Sequence, residues 1–101
     1  MYAQLRVYTV NKSMMDEWVP WFYKHVLPAA LAAGQKVIGP WQNEAKTEFI
    51  WLRVYDSAED AKVKDAKFYD SPAWKAASAD AGKYVAKANV TIMTSLEALT
   101  P

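Results

Sequence analysis

Leu5-Arg6-Val7-Tyr8 and Leu52-Arg53-Val54-Tyr55 are the same tetrapeptide, present twice in one chain. The two copies hold both of the arginines, and every other basic side chain is a lysine or the single histidine. Each copy sits in a run rich in β-branched and aromatic residues, which reads as a strand. Alternate side chains of a strand share a face. Gln4, Arg6 and Tyr8 therefore oppose Leu5 and Val7, and Phe49, Trp51, Arg53 and Tyr55 oppose Ile50, Leu52 and Val54. One sheet face is aliphatic and the other polar and aromatic. A guanidinium in mid-strand is costly to bury unless something anionic meets it, so the polar-aromatic face is a candidate site for a small ligand.

Working outward, 101 residues make one domain, spanning 1–101. Five Trp, six Tyr and three Phe exceed what so small a core needs, which points to a pocket or a subunit interface. A net charge of +1 gives no electrostatic case for nucleic acid or an anionic membrane. Without cysteine there are no disulfides, thiolate chemistry or cysteine metal sites, as expected of a cytoplasmic protein. The N-terminus resembles neither a signal nor a transit peptide. No apolar run is long enough to span a bilayer.

Residues 2–10 alternate as a first strand, and Asn11-Lys12-Ser13 is a turn. Ser13 and Asp16 have the spacing of a capping box. A helix should follow to about Ala33 and stop at Gly34, kinked or restarted at Pro20. Lys36–Gln42 reads as an edge or bulged strand weakened by Gly39-Pro40. Thr47–Tyr55 is a third strand. Ser57 and Asp60 form another capping box, opening a helix to about Tyr69. Ser71 and Pro72 start the next helix, in which Trp74, Ala77, Ala81, Tyr84 and Val85 recur at helical spacing. Asn89–Ser95 is the fourth strand and Leu96–Pro101 a tail. The order β-α-β-β-α-α-β is the ferredoxin-like α+β plan with a four-stranded antiparallel sheet. Strands one and three are expected as its central neighbours, running parallel, with the two tetrapeptides side by side.

Leu5–Tyr8, His25-Val26-Leu27-Pro28, Val37-Ile38-Gly39-Pro40-Trp41, Trp51–Ser57 and Asp70-Ser71-Pro72-Ala73-Trp74 together resemble the NIPSNAP family over nearly the whole chain. Pro40 is a departure, since a larger residue often precedes the Trp in that family. The resemblance implies the dimeric α/β barrel, in which two ferredoxin-like subunits pair their sheets. Relatives of that fold include cofactor-free monooxygenases of antibiotic biosynthesis, haem-degrading enzymes, isomerases and decarboxylases. The family implies a fold more than a reaction.

In relatives of that fold the ligand cavity often lies between sheet and helices. On the first helix, at about 100° per residue, Met14, Trp18, Phe22, His25 and Ala29 fall on one side, with Trp21 at its edge. His25 is thus expected to meet Arg6, Tyr8, Trp51, Arg53 and Tyr55. These residues other than Trp51 form the expected catalytic set, with Arg6 and Arg53 holding an anionic group and Tyr8, Tyr55 and His25 moving protons. Trp18, Trp21, Trp41, Phe49 and Trp51 are expected to wall the ligand. His25 has a competing reading as a hydrogen-bonded core residue, Trp18 and Trp21 as core or interface, and the arginines as partners of Glu44 or Glu48. Trp74 reads as core, and Lys62, Lys64, Asp65 and Lys67 as a solvated helix face. A single histidine without a second ligand at metal spacing argues against a protein metal site; haem held by His25 is a weaker alternative, and no cofactor is expected. The expectation is a homodimer through its sheet faces that binds a small, anionic ligand. Its function would be that of a cofactor-independent oxygenase, isomerase or lyase acting on a small apolar or aromatic acid; the alternative is a non-enzymatic binding or interaction dimer.

Overall fold

Ser57 and Ser71 decide where the second half of the chain turns helical. Ser57 Oγ accepts the backbone N–H of Asp60 at 3.1 Å and Ser71 Oγ that of Trp74 at 3.2 Å, each satisfying a donor that a helix start leaves without a partner. The computed structural model describes residues 1–96, so the expected tail lies, past Leu96, outside the described residues. Its elements are β1 (Tyr2–Val10), α1 (Met15–Trp21), a π turn (Phe22–Val26), α2 (Leu27–Ala32), β2 (Lys36–Gln42), β3 (Glu48–Tyr55), α3 (Ala58–Asp70), α4 (Pro72–Tyr84) and β4 (Val85–Thr94). β4 begins earlier than expected, so Val85 belongs to the sheet and not to the helical stripe. Asn11 ties the end of β1 to the end of α4: its N–H and its side-chain amide donate to the carbonyls of Tyr84 and Lys83.

The sheet has the order β2-β3-β1-β4. β1 and β3 are central neighbours but run antiparallel, not parallel. β2 and β3 form a hairpin, and the crossover through α1 and α2 makes β1 parallel to β2, so β1 must oppose β3. Leu5 pairs with Leu52, Arg6 with Trp51 and Gln4 with Arg53. The two tetrapeptides therefore lie side by side but point in opposite directions. β2 is the edge strand expected, with its register broken between Ile38 and Trp41. Gly39 sits there at φ +100°, and a Cβ would come within 2.7 Å of the Trp41 ring, so only glycine fits.

The start of α1 differs from expectation. Ser13 takes the left-handed conformation at φ 64° and caps nothing; Met14 holds the cap position without a side-chain bond. Pro20 neither breaks nor restarts the helix. It is exposed, so the carbonyl it leaves without a partner can be hydrated. The irregularity begins two residues later, where Leu27 N–H bonds Phe22 O across five residues. Pro28 accounts for it, since its ring would crowd the carbonyl four residues back and it offers no N–H. Gly34, at φ +86°, ends α2 as expected.

All helices cover one sheet face. Tyr8, Phe49, Trp51 and Arg53 on that face pack against Trp18, Phe22, Val26 and Phe68 from the helices. The opposite face presents Leu5, Val7, Ile50, Leu52 and the half-exposed Ile38. The molecule is accordingly thin, 19 Å along its shortest axis, as two layers require.

Candidate functional site

Arg53 is the side chain around which the site is built. It is 2% exposed. Its guanidinium carbon lies 4.7 Å from the ring centre of Trp51 and 4.6 Å from that of Phe68, a buried cation between two aromatic faces. Asp65 on α3 supplies the compensating charge, with Oδ1 3.6 Å from Nη1. That distance is too long for a hydrogen bond, and the reason lies in the other partners of Asp65. Gln4 Nε2 and Gln35 Nε2 donate to it at 2.8 and 2.9 Å, and the Tyr55 hydroxyl donates a short bond. Three neutral donors occupy most of the acceptor capacity of one carboxylate. Arg53 is thus compensated in charge, while its Nε and Nη1 have no hydrogen-bond partner.

Arg6 is in the reverse situation. Its Nε donates to Tyr8 Oη at 2.9 Å, its Nη1 to Gln4 Oε1 at 2.7 Å and its Nη2 to Tyr69 Oη at 3.3 Å. Burial opposes its charge, but Tyr8 and Tyr69 outweigh that, and its pKa lies above the ordinary value. Gln4 links the two arginines, accepting from Arg6 and donating to Asp65.

A cavity of about 190 Å³ opens between the sheet and the helices. Arg6, Tyr8 and Arg53 line it from the strands, Trp18 and Val26 from the first helical segment, Phe68 and Tyr69 from α3, Trp74, Ala81 and Gly82 from α4, and Val85 and Ala88 from β4. The indole N–H of Trp18 is buried without a partner. The side chains of this wall therefore offer N–H and O–H donors and no carboxylate, amide or imidazole acceptor.

Of the ten expected site residues, Arg6, Tyr8, Arg53 and Trp18 meet at this cavity. Tyr55 does not, because the antiparallel pairing carries it to the far end of β3, opposite Tyr2, whereas Tyr8 lies opposite Phe49. It stands behind Arg53 on Asp65, where burial and then that bond raise its phenol pKa above the ordinary value. His25 also lies elsewhere, with its ring 5.0 Å from that of Trp21. The π turn is the cause. It inserts one residue, so the buried position after Phe22 is Val26, followed by Ala29, Ala30 and Ala33. Trp21 packs on Trp18 and Tyr84 away from the cavity. Trp51 and Phe49 are fully buried core. Trp41, 50% exposed, lines a separate hollow of about 210 Å³ with Val19, Tyr23 and Pro40.

One sequence reading is extended here and another corrected. Trp74 packs against the core, as expected, and also lines the cavity. Asp65 belongs to no solvated face: Ala61, Asp65 and Phe68 recur at helical spacing and form the side of α3 that meets the sheet. That spacing was visible in the sequence, masked by the lysines around it. Phe68, Tyr69 and Gly82 complete the wall without having been singled out. Among the described residues no cluster of His, Cys, Asp or Glu could hold a metal ion, and no helix is long and apolar enough to cross a membrane.

A ferredoxin-like α+β domain with a donor-lined cavity under its helices is the class that fold and site define. The NIPSNAP family model matches residues 2–99, and the chain belongs to that family. An uncharacterized NIPSNAP domain protein from Burkholderia xenovorans superimposes with a TM-score of 0.89 at 14% identity, over 100% of both chains. A NIPSNAP family protein from Agrobacterium tumefaciens gives 0.86 at 14% identity, over 95% of this chain and 93% of that one. The fold extends further, to a Nitrosomonas europaea protein provisionally named an antibiotic biosynthesis monooxygenase. That protein gives a TM-score of 0.73 at 14% identity, over 95% of this chain and 99% of that one. No curated protein sequence matches the chain.

Proposed function

We propose that this protein binds a small aromatic or apolar acid in the cavity between sheet and helices, with Arg53 as the anchor for its carboxylate. The observation that carries this is the pair of unmatched donors on Arg53, on a wall with no carboxylate, amide or imidazole acceptor. A buried donor without a partner is destabilising by about 1–3 kcal/mol; a carboxylate arriving there removes that penalty with charge-assisted bonds. The volume fits one ring, since an engineered apolar cavity of roughly 150 Å³ holds benzene. Benzoate is the direct probe, with benzamide as its neutral isostere. Calorimetry should register benzoate at least tenfold tighter than benzamide, and Arg53→Met should abolish the difference. Equal affinities for the two probes overturn the reading.

Catalysis on such a ligand is cofactor-independent in this proposal and rests on anion stabilisation. Aligned donors in a water-poor site favour a developing oxyanion, and the monooxygenase name carried by the Nitrosomonas relative makes oxygenation the first reaction to assay. The wall has no base that abstracts a proton at neutral pH, so the substrate enters already ionised. The second reading is a carrier or sensor that binds the same acids without turnover. Incubation with oxygen and analysis of products by mass spectrometry separates the two. We place the protein in the cytoplasm, on its lack of cysteine, and as a homodimer through the aliphatic sheet face. Leu5, Leu52 and Ile38 on that face have no helix over them, and a hydrophobic sheet face needs a second layer.

A further inference from the structure

The hydroxyl of Tyr8 has a fixed sense. Its oxygen accepts the N–H of Arg6 Nε at 2.9 Å, so its own proton must point elsewhere. No acceptor among the described residues takes that proton, although Tyr8 is only 8% exposed and lines the cavity. Beside it, with ring centres 6.0 Å apart, is Trp18, whose indole N–H is buried and also without a partner. Two unmatched donors therefore belong to neighbouring side chains at one end of the cavity. Arg53 lies farther along the same sheet face. It pairs across the sheet with Gln4, four residues along β1 from Tyr8, which separates the two backbones by about 13 Å. Between them lies Trp51, its ring centre 4.7 Å from the Arg53 guanidinium carbon and 6.2 Å from the centre of the Tyr8 ring.

Building on the acid-binding reading above, we propose that the ligand carries two oxygen functions at opposite ends. Arg53 holds the carboxylate, and Tyr8, with Trp18 beside it, donates to a second acceptor oxygen, a carbonyl or a phenolate, across the ring. Arg6 is a positioning residue. Three of its five N–H groups are matched by Tyr8, Gln4 and Tyr69, and by occupying the Tyr8 oxygen it turns the Tyr8 proton away from itself. The substrate class is then an aromatic acid with an oxygen substituent opposite its carboxylate, rather than a plain aromatic acid.

Benzoate and 4-formylbenzoate differ by one acceptor oxygen at that far position. Calorimetry on the wild-type protein should find 4-formylbenzoate tighter by roughly three- to tenfold, the contribution of one added hydrogen bond. Tyr8→Phe should remove this gain, read as the ratio of the two affinities within the same variant, with circular dichroism verifying the fold. Arg6→Met, which frees the Tyr8 hydroxyl to turn, should reduce the ratio of the two affinities measured within that variant. Equal affinity of the two probes in the wild type, or a gain that survives in Tyr8→Phe, overturns the two-ended ligand while leaving the Arg53 anchor in place. A wild-type protein that binds neither probe overturns both.

Discussion

Replacing Asp65 by Asn tests the network at its centre. Asp65 is the carboxylate within 4 Å of Arg53 in the described structure, and Arg53 is almost fully buried. Removing one partner of a buried ion pair leaves an uncompensated charge and is destabilising by about 3–5 kcal/mol. The Asp65 side chain is 24% exposed, so water takes part of the load and the lower figure, about 3 kcal/mol, is the better expectation. Asn adds a second difficulty. Gln4, Gln35 and Tyr55 all donate to Asp65, and the new amide nitrogen brings further donors to a place that needs acceptors. At least one of these bonds is lost, at about 1 kcal/mol. The sum, about 4 kcal/mol, lowers Tm by roughly 16–32 °C in a domain of this size. Urea unfolding followed by tryptophan fluorescence, with circular dichroism to verify the folded baseline, measures it. A loss below about 1 kcal/mol would mean that Arg53 is compensated elsewhere, and the account of the buried pair fails. Benzoate supplies an internal check: as the remaining counter-charge it should stabilise Asp65→Asn more than the wild type.

Gly82 is a glycine that the backbone does not require: a Cβ there meets nothing within 4 Å, and the residue lies in a helix. Gly82→Ala should raise stability by about 0.5–1 kcal/mol, whereas Gly82→Leu should stay folded and lose benzoate because it fills the cavity; a destabilised Gly82→Ala refutes both statements. Tyr55 has a pKa above the free-phenol value of 10.0, owing first to burial and then to Asp65. Its contribution to stability is complete below about pH 10 and declines as pH rises toward the folded value, so alkaline unfolding should be shallower in Tyr55→Phe, and identical alkaline limbs would refute this. Light scattering at micromolar concentration should give twice 11.4 kDa, and Leu52→Lys, on the sheet face without helices, should give the monomer; a wild-type monomer sinks the sheet-paired dimer.

What could be read from the sequence was whatever depends on local chemistry. The duplicated tetrapeptide placed Arg6 and Arg53 on one face of two adjacent strands, Ser57 and Ser71 announced their helices, and Gly39-Pro40 marked the irregular edge. The relative direction of β1 and β3 is a topological consequence of a hairpin and a crossover, and reading it as parallel drew Tyr55 wrongly toward Tyr8. His25 was misplaced because angular counting assumes a uniform helix, and the π turn responds to Pro28 downstream of the residues being counted. Asp65 was obscured by composition: a carboxylate among three lysines looks solvated until its spacing from Ala61 and Phe68 is weighed. The unmatched donors of the wall depend on which hydrogen bonds are already made, which no residue pattern encodes.

The π turn at Phe22–Val26 also bears on how chain length varies within this fold. Insertions and deletions are ordinarily confined to loops, because one residue more or less in a helix rotates everything beyond it. Here the helix already contains a supernumerary residue, with Tyr23 and Lys24 facing outward. Deleting Lys24 would close the wide turn to ordinary α spacing and keep Phe22 and Val26 on the sheet side. Relatives one residue shorter between these two positions can therefore preserve the same buried stripe, and an alignment that pushes the gap into the nearest loop would set every following helical residue one place out of register.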